Sequence, residues 1–107
     1  MIKVKGTLIS PYAVDAAMYS IKEVKNYLFV VDEVAGLDTT RVYVEGNDID
    51  PIAIKQAISA KTFITPRTII TVSKESIPLI GRKGKRFIDL REQNPYNNTI
   101  RKFASAH

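Results

Sequence analysis

Two dipeptides, Ser10-Pro11 and Asp50-Pro51, constrain this chain more than any other feature. In each, a short side-chain oxygen can accept from the orphan N–H groups of a first helical turn, and proline brings a φ already suited to the first helical position. Two helices therefore open at fixed points. After the first start, Val14, Ala17, Met18, Ile21, Val24 and Leu28 recur at helical spacing, with Asp15, Lys22, Glu23 and Asn26 on the other side. After the second, Ile54, Ala57 and Ile58 share a face, and the helix is expected to end near Lys61.

The segments around these helices read as strands. Ile2, Val4 and Leu8 alternate with Lys3, Lys5 and Thr7, which predicts a strand over 2–9 with Gly6 as a bulge or close-approach point. Phe29 to Val34 is short, apolar and β-branched, AGLDTT supplies turn residues, and Arg41 to Glu45 alternates again, so a hairpin is expected there. Thr68 to Ser73 is a further strand once Pro66 is placed before it or at its edge. The order β-α-β-β-α-β predicts an α+β fold of the ferredoxin-like kind, with two helices covering one face of a four-stranded antiparallel sheet. Residues 1–92 are expected to form one such domain, including the basic loop 81–86. The turn-rich QNPYNN at 93–98 then opens a polar C-terminal tail, residues 93–107, able to fray or to dock on another copy.

A chain of 107 residues can bury a workable core without cross-links. It contains no cysteine, which excludes disulfides, thiolate nucleophiles and cysteine-ligated metals. No run of about eighteen apolar residues suggests a membrane span, and the N-terminus alternates instead of forming a signal-like block, so a cytoplasmic location is expected. The net charge of +5 is unevenly spread: residues 1–50 carry five basic and eight acidic side chains, residues 51–107 eleven and three. A basic C-terminal half suits a polyanion; halves of opposite sign also suit contacts between copies. Folding that interleaves the two halves would erase the asymmetry.

The basic residues concentrate in LIGRKGKRFIDL, residues 79–90. Gly81 and Gly84 let a backbone approach a ligand closely, and Arg82, Lys83, Lys85 and Arg86 bring four cations into five residues, so phosphate is the natural ligand. A helix over 85–92 would aim its positive end at the same place. Ile80, Gly81, Arg82, Lys83 and Gly84, followed by Phe87 and Leu90, resemble the I-G-x-x-G loop region of KH domains. In that family the loop lies between two helices and grips the backbone of roughly four nucleotides. The likeness covers residues 69–92 only, and the chain after the loop is too short for a complete module. The plainer alternative is a tight basic hairpin turn with IPLI and RFIDL as its paired strands.

Other candidate residues are sparse. Tyr43, beside Arg41 on the expected polar face of its strand, is a candidate for base stacking, with cross-strand packing as the alternative. Arg91 extends the basic segment. Asp48 and Asp50 resemble the start of a calcium loop, but the required glycine and final glutamate are missing and Pro51 opens a helix instead. The only histidine is the last residue, so the usual triads are excluded.

The expectation is a small regulatory or accessory protein, not an enzyme, with no metal or cofactor. It would bind RNA or DNA phosphates through Gly81, Arg82, Lys83, Gly84, Lys85, Arg86 and Arg91. The alternative is an assembly subunit forming homo-oligomers through complementary acidic and basic faces.

Overall fold

The structure is a computed structural model and describes residues 1–82 and 84–107. Both helices start where the cap and proline pairs place them. Helix α1 (Pro11–Tyr19) is capped by Ser10, whose Oγ accepts from the Tyr12 N–H at 3.2 Å, and α2 (Pro51–Thr62) by Asp50, whose Oδ1 accepts from the Ile52 N–H at 3.0 Å. Helix α2 ends on Phe63 in the left-handed conformation, with φ of 63°.

The first helix is shorter than its periodicity predicts. It stops at Tyr19, and the apolar residues beyond belong to a long strand, β3 (Val24–Val34). Tyr27, Phe29 and Val31 enter the core on one face of this strand, while Leu28 and Val30 enter a second core on the other. A strand buried on both faces loses its alternation and presents an unbroken apolar run. Val24 and Leu28 in that run happen to continue the helical spacing.

Strand β4 (Leu37–Gly46) returns antiparallel to β3 through a two-residue turn, Ala35–Gly36, with φ of 52° and 78°. Positive φ at both positions matches strand twist, so LDTT, expected in a turn, pairs in the ladder. The opening strand is likewise two: β1 (Ile2–Val4) and β2 (Thr7–Ile9) fold back at Lys5 and Gly6, with φ of 50° and 78°, as a separate hairpin.

Strands β5 (Thr68–Val72) and β6 (Phe87–Asp89) complete a four-stranded sheet in the order β5-β4-β3-β6. Both outer pairings are parallel, β5 to β4 and β6 to β3. Over the described residues the architecture is therefore α+β with a mixed sheet and three helices, not the all-antiparallel sheet expected. The place beside β3 is taken by β6, because the first strand closes on itself at Lys5–Gly6.

One face of the sheet packs against α1, α2 and the β1–β2 hairpin through Val14, Met18, Phe29, Val42, Ile54 and Ile58. The other packs against α3 (Asn97–Ser105), which places Ile100 and Phe103 on Leu28, Val30 and Tyr43. The segment expected as a polar tail thus ends in a docked helix. Two buried side chains suffice to orient a nine-residue helix whose remaining surface is polar, which is why its composition resembles a tail.

Candidate functional site: the basic loop and its supports

The loop lies between the end of β5 and the start of β6. Its first residues, Ser73 to Ser76, form a turn in which Glu75 adopts a left-handed φ of 62°. Ile80 is fully buried in the second core, whereas the preceding Leu79 is exposed. Past Ile80 the chain turns at Gly81 and Gly84, with φ of 68° and 63°, and closes where the Lys85 N–H donates to the Ile80 carbonyl at 2.7 Å. Both glycines combine a left-handed φ with close side-chain neighbours. A Cβ at Gly81 would stand 3.2 Å from Tyr96 Oη, and one at Gly84 would stand 3.2 Å from Leu79 Cδ1.

IPLI and RFIDL do not pair as hairpin strands, since Phe87–Asp89 runs parallel to β3 instead. Nor does a helix follow the loop: residues 87–89 are strand β6 and a turn succeeds it, so no helix end faces the glycines. Flanking strands, and not the two helices that flank the KH loop, carry this segment. A chain that must cross to a parallel partner beside β3 uses its apolar Phe87 and Ile88 as edge-strand residues, which overrides their helical spacing.

Arg82, Lys85 and Arg86 are exposed. Lys83 lies outside the described residues. Two cations are held in place. Arg86 donates from Nε to Asn26 Oδ1 at 2.8 Å, lies 5.8 Å from the Tyr19 ring centroid, and has its carbonyl fixed by the Phe29 N–H at 2.7 Å. Lys85 Nζ stands 6.0 Å over the Tyr96 ring. A cleft of about 70 Å³ opens between Asn26, Tyr27, Leu79, Lys85 and Arg86. Burial pushes the Tyr19 phenol up, with the nearby Arg86 charge opposing it. Tyr27 is raised further, by burial first and then by the hydrogen bond it donates to Asp15 Oδ1 at 2.8 Å.

Two expected contact residues are committed elsewhere. Tyr43 is buried, packed edge-to-face on Phe103 with ring centroids 4.9 Å apart, so it is not displayed for stacking. Because α3 covers its face of the sheet, the position next to Arg41 faces a core and not solvent. Arg91 is spent on internal ion pairs: Nε and Nη2 each lie 2.9 Å from the Asp89 carboxylate, and Nη1 lies 3.0 Å from Asp38 Oδ1. With Arg101 Nη1 3.6 Å from Asp32 Oδ2, two basic residues of the second half meet acidic residues of the first. Folding thereby neutralises part of the charge asymmetry inside one chain.

Sequence reading missed the supports. Glu45 is 5% exposed at the end of β4, and its carboxylate accepts from the Glu75 N–H at 2.8 Å and the Ile77 N–H at 3.0 Å. Its only sequence signal is a place on the Tyr43 face of the strand, a charged residue in an apolar alternation. Asn26 gave no signal, and Tyr19 and Tyr96 read only as tyrosines able to stack on bases, not as supports of this loop. His107 is a structural residue, its Nδ1 2.9 Å from the Phe103 carbonyl and its ring 4.5 Å from that of Phe103. Among the described residues there is no group of three or more His, Cys, Asp or Glu side chains placed to hold a metal, and no helix is long and apolar enough to cross a membrane. What the site offers is exposed cations around a turn closed by two glycines, which is chemistry for anions.

No family model and no curated protein sequence matches the chain. Solved structures do share its fold. A domain of phenylacetate-coenzyme A ligase from Bacteroides vulgatus ATCC 8482 superposes with a TM-score of 0.70 at 24% identity, covering 84% of this chain and 92% of that one. A 2-hydroxyisobutyryl-CoA ligase in complex with 2-HIB-AMP and CoA, in the thioesterification state, gives 0.68 at 17% identity over 98% of this chain. An open conformation of such a ligase, in complex with the same two molecules, gives 0.66 at 18% over 83%. The chain spans only 24% and 21% of the length of these two ligase chains. The fold is thus one that also occurs as part of larger coenzyme A ligases.

Proposed function

We propose that this chain acts as the small, loop-bearing domain of a coenzyme A ligase type of machinery. In this reading Arg82, Lys83, Lys85 and Arg86 meet the phosphates of a nucleotide ligand such as an adenylate or coenzyme A. The observation that carries the reading is the conjunction of fold and loop. The fold is shared with ligases in complex with 2-HIB-AMP and CoA, and this chain places on it a glycine-closed, cation-rich loop propped by Tyr19, Asn26 and Tyr96. Guanidinium groups bind phosphate oxygens through paired, charge-assisted hydrogen bonds. With Nε of Arg86 engaged by Asn26, the side chain is oriented before a ligand arrives, and less rotamer entropy is lost on binding. The rest of such a machinery would come from a larger body, corresponding to the remaining length of the ligases.

A second reading keeps the loop and changes the polyanion to RNA or DNA, favoured by the basic excess of residues 51–107. The two are separated by titrating AMP, coenzyme A and a labelled single-stranded RNA into the wild type and an Arg82→Asp, Lys85→Glu variant over a salt series. The expected result is salt-sensitive binding of AMP and coenzyme A, weakened about tenfold or more in a variant that melts like the wild type. RNA binding without nucleotide binding transfers the loop to the second reading. Silence from all three probes refutes both.

A further inference from the structure

Glu45 is a carboxylate buried at the end of β4, opposite Asn26 of β3 and Val72 of β5 in the sheet register. Among the described residues it has no ion-pair partner; its two oxygens are divided between two backbone N–H groups, those of Glu75 and Ile77. Both donors belong to the segment that carries the chain out of β5 and toward the loop. The first donor, Glu75, is itself held in the left-handed region, a conformation that residues other than glycine and asparagine seldom adopt. A burial site for a charge and an unfavourable dihedral thus coincide, and each accounts for the other: the charge-assisted bonds hold the turn, and the turn supplies the donors that a buried carboxylate requires.

We propose that Glu45 is a positioning residue for the basic loop: its carboxylate clamps residues 75–77 onto the sheet and so fixes where Ile80, the two glycines and their cations stand. Glu45 does not itself touch the ligand. The far end of the loop is fixed independently by the Phe29 N–H on the Arg86 carbonyl and by Asn26 on the Arg86 guanidinium. Without the Glu45 clamp the entry side of the loop would be held by the burial of Ile80 alone, and its cations would be presented over a wider range of positions. The consequence for ligand binding rests on the phosphate-contact reading above; the clamp itself does not.

The test is Glu45→Gln, which nearly preserves shape but replaces one acceptor oxygen by a donor that confronts a backbone N–H. Hydrogen exchange is measured residue by residue, together with coenzyme A affinity over a salt series. The amides of Glu75 and Ile77 are expected to exchange about tenfold faster or more, with those of Val30 and Val42 unchanged. Coenzyme A affinity is expected to fall about tenfold with an unchanged salt slope, because the cations remain. A loss of cations, as in the Arg82→Asp, Lys85→Glu variant, changes that slope. Unaltered exchange at residues 75 and 77, or full affinity with a loosened loop, overturns the proposal. If the wild type binds no coenzyme A, the coenzyme A reading of the loop fails while the exchange result still decides the clamp. Should Glu45→Gln not fold, Glu45→Asp, which keeps the charge and shortens its reach, is held to the same exchange criterion.

Discussion

Phe103→Ala tests whether α3 is part of the domain's core. The helix is attached through only two buried side chains, Ile100 and Phe103, and Phe103 is 9% exposed with its ring edge-to-face on Tyr43 at 4.9 Å. Truncating a buried phenylalanine costs about 3–5 kcal/mol, of which the aromatic pair supplies about 0.5–1.5. Domains of this size have about 5–15 kcal/mol in total, so one substitution removes roughly a fifth or more of the stability. At about 4–8 °C per kcal/mol for a chain near 100 residues, the melting temperature falls by more than 10 °C. Urea denaturation followed by circular dichroism measures the loss. A Tyr43→Leu variant and the double variant complete a cycle that isolates the ring–ring contribution. Because Ile80 and Tyr96 share this core, Phe103→Ala should also loosen the basic loop, read as faster exchange of the Lys85 amide that donates to Ile80. A change below about 0.5 kcal/mol, the ordinary range for exposed positions, would show that the last residues form a tail after all and refute the docked helix.

Two pH-linked outcomes follow from the named pairs. Tyr27 has its phenol raised by burial and by its bond to Asp15, so the stability it contributes is complete below the ordinary tyrosine value near 10 and is lost as pH rises above it. Tyr27→Phe should cost about 1–3 kcal/mol at neutral pH and flatten the alkaline limb of the stability curve; an unchanged limb counts against the assignment. Asp38 is held below the usual carboxylate value, first by the Lys5 N–H and then by Arg91. Its contribution is present above the ordinary aspartate value and disappears as pH falls through the lowered one. Asp38→Asn should therefore make stability fall less steeply as pH drops below the ordinary aspartate value of about 4, measured by urea titrations at stepped pH; an identical acid slope would contradict the pairing.

Local chemistry made part of this protein legible from its residues alone. Ser10-Pro11 and Asp50-Pro51 open helices because capping and proline geometry act within three residues, whatever surrounds them. The glycine and cation spacing of 81–86 marked the loop for the same reason: left-handed φ and positive charge are properties of the residues themselves. Tertiary structure decided everything that depends on what covers a surface. Docking of α3 buried Tyr43 and turned an expected display position into core, and burial on both faces hid β3 inside a helical periodicity. Pairing across the chain committed Arg91 to Asp89 and Asp38, while Glu45, Asn26 and Tyr19 became the loop's supports through contacts 30 to 67 residues away in sequence. Charge and dihedral preference are carried by each residue, but burial and partnership belong to pairs that only the completed fold brings together.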